Sequence, residues 1–395
     1  MASAADDLAH WAYDLEPTSE DLELADRSLL DTVAVAIAAR DHPVLDVVAG
    51  MPQALIWSVA GHVLDFDDLH MESTTHVSVV CVPAVLAAGG GARDYLAAAG
   101  VMARIGNALG WPHYSAGWHA TCTAGAPAAA VGAGMAMGLD REQLATAIAL
   151  SVPAAGGVQR AFGTDAKSLQ VGFATDAGLR AAHLAARGAT ADPTAVDSWL
   201  ELLGGDASTL DLAGPAVPGG LAIKVYPCCY ALQRPIDALA GLAGADLDPG
   251  DVERIVLRTP RGTVQPLIHH DPRTGLEGKF SIEYAAATAL LDDYQGFASF
   301  TDDAVARPQA RRLARLVETQ LSEGGNWLLA GELEAEVHVG GAVLTTRSQY
   351  PPGSPQRPAT PQEMRRKVDD CLAGTTVEAQ ALNWGSAADI LRATL

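Results

Sequence analysis

The chain has 395 residues, a formal net charge of −21 at pH 7, and a composition that is 49% hydrophobic and 18% charged. This is a folded chain with room for two cores rather than a disordered one. The acidic surplus, with no Lys/Arg run beyond pairs such as Arg311-Arg312, excludes a nucleic-acid partner from expectation.

The opening stretch MASAADDLAHWAYDLEP is acidic and lacks the basic and apolar segments of a signal peptide. Apolar runs throughout are broken well short of the ~18 residues a membrane span needs, so no membrane partner is expected. In TSEDLELADRSLLDTVAVAIAAR, Thr18 with Asp21 three residues on predicts a capped helix start. In PQALIWSVAGHVLD, Pro52 marks the next one. TAGAPAAAVGAGMAMGLD, REQLATAIALSVPAAG and ATDAGLRAAHLAARG are rich in Ala and Gly and predict buried, closely packed helices, with Gly138 and Gly188 as stops.

The pattern changes near residue 220. VERIVLRTP alternates as a strand, and ELEAEVHVGGAVLTTRSQY reads as a hairpin around Gly340-Gly341. FSIEYAAATALLDD is helical, YPPGSPQRPATPQE with five prolines between 351 and 361 reads as a linker, and TPQEMRRKVDDCL returns to helix. The expected fold class is mainly α: a large helical domain over 1–219 and 355–395, with a smaller α+β domain inserted over 220–350.

Titratable groups concentrate in HVLDFDDLHMESTTHVS, residues 62–78. If the helix before it continues, Asp65 and Leu69 at i, i+4 share a face, while Asp67 and Asp68 are expected to cap and bond the loop. His62 is a candidate partner of Asp65, and His70 is expected to be peripheral. Asp67, Asp68, His70 and His76 look superficially like metal ligands. A DDxxD site fails because the acid falls at Glu72, one residue late. The five cysteines (Cys81, Cys122, Cys228, Cys229, Cys371) include no CxxC, which points to a reducing, cytoplasmic setting without disulfides. The adjacent Cys228-Cys229 do not offer the three thiolates of an iron–sulfur cluster and are expected to pack. Only four of the 26 basic residues are lysines: Lys167, Lys224, Lys279 and Lys367. Lys167 lies where a loop enters a helix and can hold a carboxylate there. Lys367, in EMRRKVDD, reads as a surface residue.

Five blocks occur in order: HVLDFDDLHMESTTHVSVVCVPAVLAA, GWHATCTAGAPAAAVGAGMAMGLD, GTDAKSLQVGFATDAGLRAAHLAARG, KVYPCCYALQRPIDAL and EGKFSIEYAAATALL. Together, over about residues 25–370, the chain resembles the MmgE/PrpD family, which holds 2-methylcitrate dehydratases, cis-aconitate decarboxylases and iminodisuccinate epimerases. The resemblance implies a helical domain with an inserted lid, a homodimer, and no cofactor or metal. It implies His76, His119, Asp65 and Lys167 as catalytic residues. Leu69, Gln170, Gln233, Lys224, Lys279 and Tyr284 become substrate-binding positions, with His269-His270 as further lid contacts. The chain departs from the family pattern at Leu69 (usually Thr), Val77 (usually Pro), and Gln170 and Gln233 (usually His), and is shorter between 45 and 55. The expected function is a cofactor-independent lyase, a dehydratase or decarboxylase, that abstracts a proton α to a carboxylate of a small di- or tricarboxylate. The alternatives are an epimerase or isomerase working through the same carbanion, a metal-dependent hydrolase, and a catalytically altered biosynthetic or non-catalytic member.

Overall fold

The computed structural model describes residues 3–243, 247–325 and 329–395. It divides into two compact units, Met1–Ile223 with Cys371–Leu395, and Lys224–Asp370. In the first unit, helix starts are set by local chemistry. Thr18 Oγ1 accepts from Asp21 N at 3.2 Å while Asp21 Oδ2 accepts from Thr18 N at 2.9 Å, so the helix Ser19–Ala38 opens on the predicted capping box. Ser3 with Asp6, and Asp140 with Gln143, do the same for Ala4–Asp14 and Arg141–Ser151. Gly138 and Gly188 stop their helices at φ 74° and 83°, a region open to glycine at no steric cost.

The helix Ala120–Ala136 is buried from Ala120 through Gly134, apolar all round, as a central helix must be. Against it lies Ala166–Ala186. A Cβ at Gly178 would sit 2.4 Å from Ala129 Cβ and 2.5 Å from Ala126 O, so here the two backbones nearly touch. This is what the small-residue composition achieves: it seats the N-terminus of one helix, bearing His119, beside the first turns of the other, bearing Lys167 and Gln170.

The second unit is built on a four-stranded sheet of order β2-β1-β3-β4. The strands are β1 (Val252–Pro260), β2 (Val317–Ser322), β3 (Leu333–Val339) and β4 (Ala342–Ser348). β1 runs parallel to β2 and antiparallel to β3. β3 and β4 form the predicted hairpin, with Gly340 and Gly341 at φ 56° and 79° in a two-residue turn. The helices Gln233–Ala243 and Ile282–Leu291 share one apolar core with Ile255, Leu257, Ala335 and Val337.

Two expectations need correction. The proline-rich segment is not a free linker: Pro351 to Ser354 are buried, and the Arg357 guanidinium is bonded to Asp237. It and most of the helix Pro361–Leu372 belong to the second unit, which ends at Asp370 rather than near 355. Lys367 is not a surface residue either. It is fully buried, and its Nζ donates to Lys224 O at 2.8 Å. Among the described residues, no helix is long and apolar enough to cross a membrane.

Candidate active site

The helix Gln53–Val63 ends with His62 in its last turn. Leu64 continues the turn, and Asp65 then takes φ 57°, a left-handed conformation that Asp tolerates better than most residues. The chain therefore leaves the helix before Leu69, and the i, i+4 face expected for Asp65 and Leu69 does not form. Leu69 instead pairs its backbone with Ala222, donating at 2.9 Å and accepting at 2.8 Å. Asp68 closes the loop as expected: it accepts from Val77 N at 3.2 Å and Ser78 N at 3.0 Å, and from the Ser78 hydroxyl. The Val77 bond is one that the family's usual proline could not make. His70 is buried away from the other histidines, bonded to Ser73 Oγ and Pro218 O at 2.7 Å each.

Asp67 does more than shape the loop. Its Oδ2 lies 2.7 Å from His62 Nδ1 and 3.0 Å from His76 Nδ1. The first contact is a hydrogen bond; the second is close but poorly aligned, leaving His76 Nδ1 without a well-formed one. His76 is tied through its backbone N–H to Thr121 Oγ1 at 3.0 Å, and its side chain is 15% exposed, the one part of this trio that reaches the surface. His62 stacks on His119 with ring centroids 5.8 Å apart and meets His76 edge-on at 4.9 Å. Three imidazoles therefore share one carboxylate region.

His119 is the N-cap of Ala120–Ala136. Its backbone N–H donates to Gly157 O at 3.0 Å, tying in a loop whose Gly157, at φ 123°, leaves no room for a Cβ beside Cys122. Its Nδ1 lies 2.6 Å from Gln170 Nε2 and 3.2 Å from Cys122 Sγ. Phe162 packs edge-on against the ring at 4.9 Å. At the start of the helix Ala166–Ala186, Lys167 Nζ lies 2.7 Å from Asp65 Oδ1, with both side chains partly exposed. Thus His76, His119, Asp65, Lys167, Leu69 and Gln170 all lie in the first unit. His62 and Asp67 join them, and sequence spacing gave each too small a part.

The electrostatics follow from burial. Burial pushes His62 down to about 4, against the upward pull of Asp67, so near neutrality the pair is a neutral imidazole donating to a carboxylate. For Asp67, burial alone would raise the carboxyl, but His62 and His76 outweigh it and hold it well below the usual range. His119 is pushed well down, first by burial and then by His62, His76 and Lys167. His62, Asp67 and His76 place candidate ligand atoms within 4.8 Å of one another. Yet two ligands about 2.1 Å from a tetrahedral metal stand roughly 3.4 Å apart. The 2.7 Å His62–Asp67 contact is hydrogen-bond spacing instead.

A stability prediction follows. Below about pH 6.5 an unfolded histidine binds a proton, which the buried His62 refuses until about pH 4. The unfolded state then holds more protons, so stability falls as pH drops through this window, by roughly 3 kcal/mol from His62 alone. His119 acts in the same direction. Urea unfolding at pH 7.5 and 4.5 should give a lower midpoint at the acid pH; equal midpoints would contradict this.

In the second unit, Gln233 is fully buried and satisfied locally, accepting from Val225 N and Tyr226 N and donating to Tyr226 O. Tyr284 is 1% exposed and donates its hydroxyl to Ser299 O. Lys224 and Lys279 are buried, and Lys279 Nζ sits 5.8 Å from the Phe297 ring. His270 pairs with Glu283 at 2.8 Å, and the His269 backbone N–H reaches Phe280 O. Cys228 is buried and Cys229 half-buried, both packed against the apolar core of this unit and neither in a disulfide.

The family model for the MmgE/PrpD N-terminal domain matches residues 51–199, and that for the C-terminal domain matches 226–391. Both halves are present, in order, around the blocks that carry the resemblance: the chain belongs to the MmgE/PrpD family. It is 26% identical to a cis-aconitate decarboxylase of Aspergillus terreus, over 95% of this chain and 90% of that protein. To the cis-aconitate decarboxylase of Mus musculus it is 27% identical, over 82% of this chain and 73% of that one.

Proposed function

We propose that the chain is a lyase, and specifically a cofactor-independent decarboxylase of a small tricarboxylate resembling cis-aconitate. The observation that carries this reading is the Asp67 carboxylate, buried and held ionised, beside the only partly exposed imidazole of the trio, His76. A carboxylate behind an imidazole orients the ring and stabilises its protonated form, the arrangement a proton donor needs. The similarity to two decarboxylases supports the substrate class.

Charge balance supports the same assignment. Asp65 and Asp67 contribute two negative charges to the site and Lys167 one positive charge, so a polycarboxylate adds to a local excess of negative charge. Lys167, which Asp65 holds in place, binds one substrate carboxylate, and one ammonium can serve both. The bond to the departing carboxylate then breaks and carbon dioxide leaves. Its electron pair shifts through the adjacent carbon–carbon double bond to the carbon α to a remaining carboxylate, which shares the charge. His76 gives that carbon its proton, and solvent returns a proton to His76.

The test is carbon dioxide release from a panel of small di- and tricarboxylates. The proposal expects turnover of cis-aconitate or a close analogue. Loss of water from hydroxyl-bearing members, without carbon dioxide release from any, would replace decarboxylation by dehydration.

A further inference from the structure

We infer that Gln170 is a positioning residue that locks His119 in the tautomer with its proton on Nε2, making His119 a hydrogen-bond donor rather than a base. This deepens the proposed function and rests on it only for the donor's target, a substrate carboxylate.

The two ends of the Gln170 amide look alike in shape but not in chemistry. Gln170 Oε1 accepts from Val158 N at 3.0 Å, and Nε2 donates to Val158 O at 3.3 Å. One residue's backbone thus reads both ends of the amide. Turning it over would set oxygen against oxygen and N–H against N–H, losing both bonds. Val158 itself is fixed by its bridge to Trp118, with Gln159 N donating to Gly117 O at 2.9 Å. The orientation is therefore set by backbone, independently of His119.

With that orientation fixed, the second proton on Gln170 Nε2 points at His119 Nδ1, 2.6 Å away. Nδ1 must accept, and the ring proton must sit on Nε2. The other neighbour of Nδ1, Cys122 Sγ at 3.2 Å, agrees: burial raises this thiol well above its usual range, so it keeps its proton and is no anion for an Nδ1–H. Protonating the ring would put N–H against N–H, so the clamp opposes an imidazolium. The carboxylates nearby do not reverse this, because Asp67 Oδ2 is engaged by His62 and lies beside His76. Lys167 and the other two imidazoles act against a positive charge on His119. An amide cannot titrate, so the device holds over the whole working pH range. The histidine usual at position 170 in the family could switch between donor and acceptor.

The test is nitrogen-15 NMR of protein labelled at histidine, without substrate, with the His119 signal assigned by its loss in His119→Gln. Between pH 6 and 8 the wild type should show His119 neutral with the proton on Nε2. Gln170→Glu presents an acceptor instead, and should bring a proton onto Nδ1 and make the ring titrate within that range. It should also move the pH profile of kcat/KM, with a loss of about tenfold or more at pH 7, most of it in KM. A wild-type His119 protonated on Nδ1, or cationic at pH 7, overturns the inference. So does a Gln170→Glu protein whose His119 spectrum is unchanged. If Gln170→Glu fails to fold, the wild-type spectrum alone decides. If the chain turns over no carboxylate, the proposed function falls while the spectrum still reads the tautomer.

Discussion

Asp67→Asn should cut kcat by about 10³-fold or more while leaving the protein folded. The wild-type Oδ2 bonds to His62 Nδ1 at 2.7 Å and approaches His76 Nδ1 at 3.0 Å, and the carboxylate is 1% exposed. Asparagine keeps the shape but not the charge. If its oxygen takes the Oδ2 position, the amide nitrogen falls where Oδ1 lies buried without a partner, at a cost of roughly 1–3 kcal/mol. If it turns the other way, N–H groups face both imidazoles and make each Nδ1 accept, the reverse of the wild-type bond at His62. Either way no negative charge stabilises a protonated His76. The check is kcat and KM for the substrate found in the panel, with circular dichroism to confirm folding. A loss under about tenfold would mean that His76 works without Asp67.

Lys167→Met should lower kcat/KM by about 10²-fold or more, with most of the effect in KM. Methionine keeps the apolar stem near Phe162, whose ring lies 5.7 Å from Lys167 Nζ, and removes only the charge. A lost hydrogen bond to a charged group is worth about 1.5–3 kcal/mol, and stranding one member of a charge pair costs about 2–5 kcal/mol. Asp65→Asn removes the other end of the 2.7 Å pair while keeping the ammonium and a residue that accepts the left-handed backbone. It should therefore raise KM less than Lys167→Met does. An unchanged KM in Lys167→Met would remove this lysine from carboxylate binding.

What the sequence made legible was whatever short-range chemistry decides. Thr18 and Asp21 cap a helix through bonds three residues apart, and Gly340-Gly341 turn a hairpin because two successive left-handed residues favour glycine. The place of Lys167 at a helix start was legible in GTDAKS, and the helix Ala166–Ala186 opens there. Asp67 was not, because a face argument holds only while a helix continues, and the helix ends at Val63. Its role depends on His62 and His76, which a non-helical loop brings to one oxygen. The Gln170 clamp was hidden for the same reason: it needs the loop at Val158, whose position is set by a bridge to Trp118. β2 was missed because VETQLS is mostly polar, as an edge strand beside β1 allows. Lys367 was misread because composition registers a charge but not the backbone carbonyl waiting for it at Lys224.

If the proposed chemistry holds, a carbon beside a carboxylate receives its proton within this site as carbon dioxide leaves. Turnover of cis-aconitate in D2O, followed by NMR, tests it most directly. The expected result is stoichiometric carbon dioxide and a product carrying one solvent deuterium at a single carbon, with both lost in His76→Gln. Intact cis-aconitate with no deuterium incorporated, from folded wild-type protein, would contradict it.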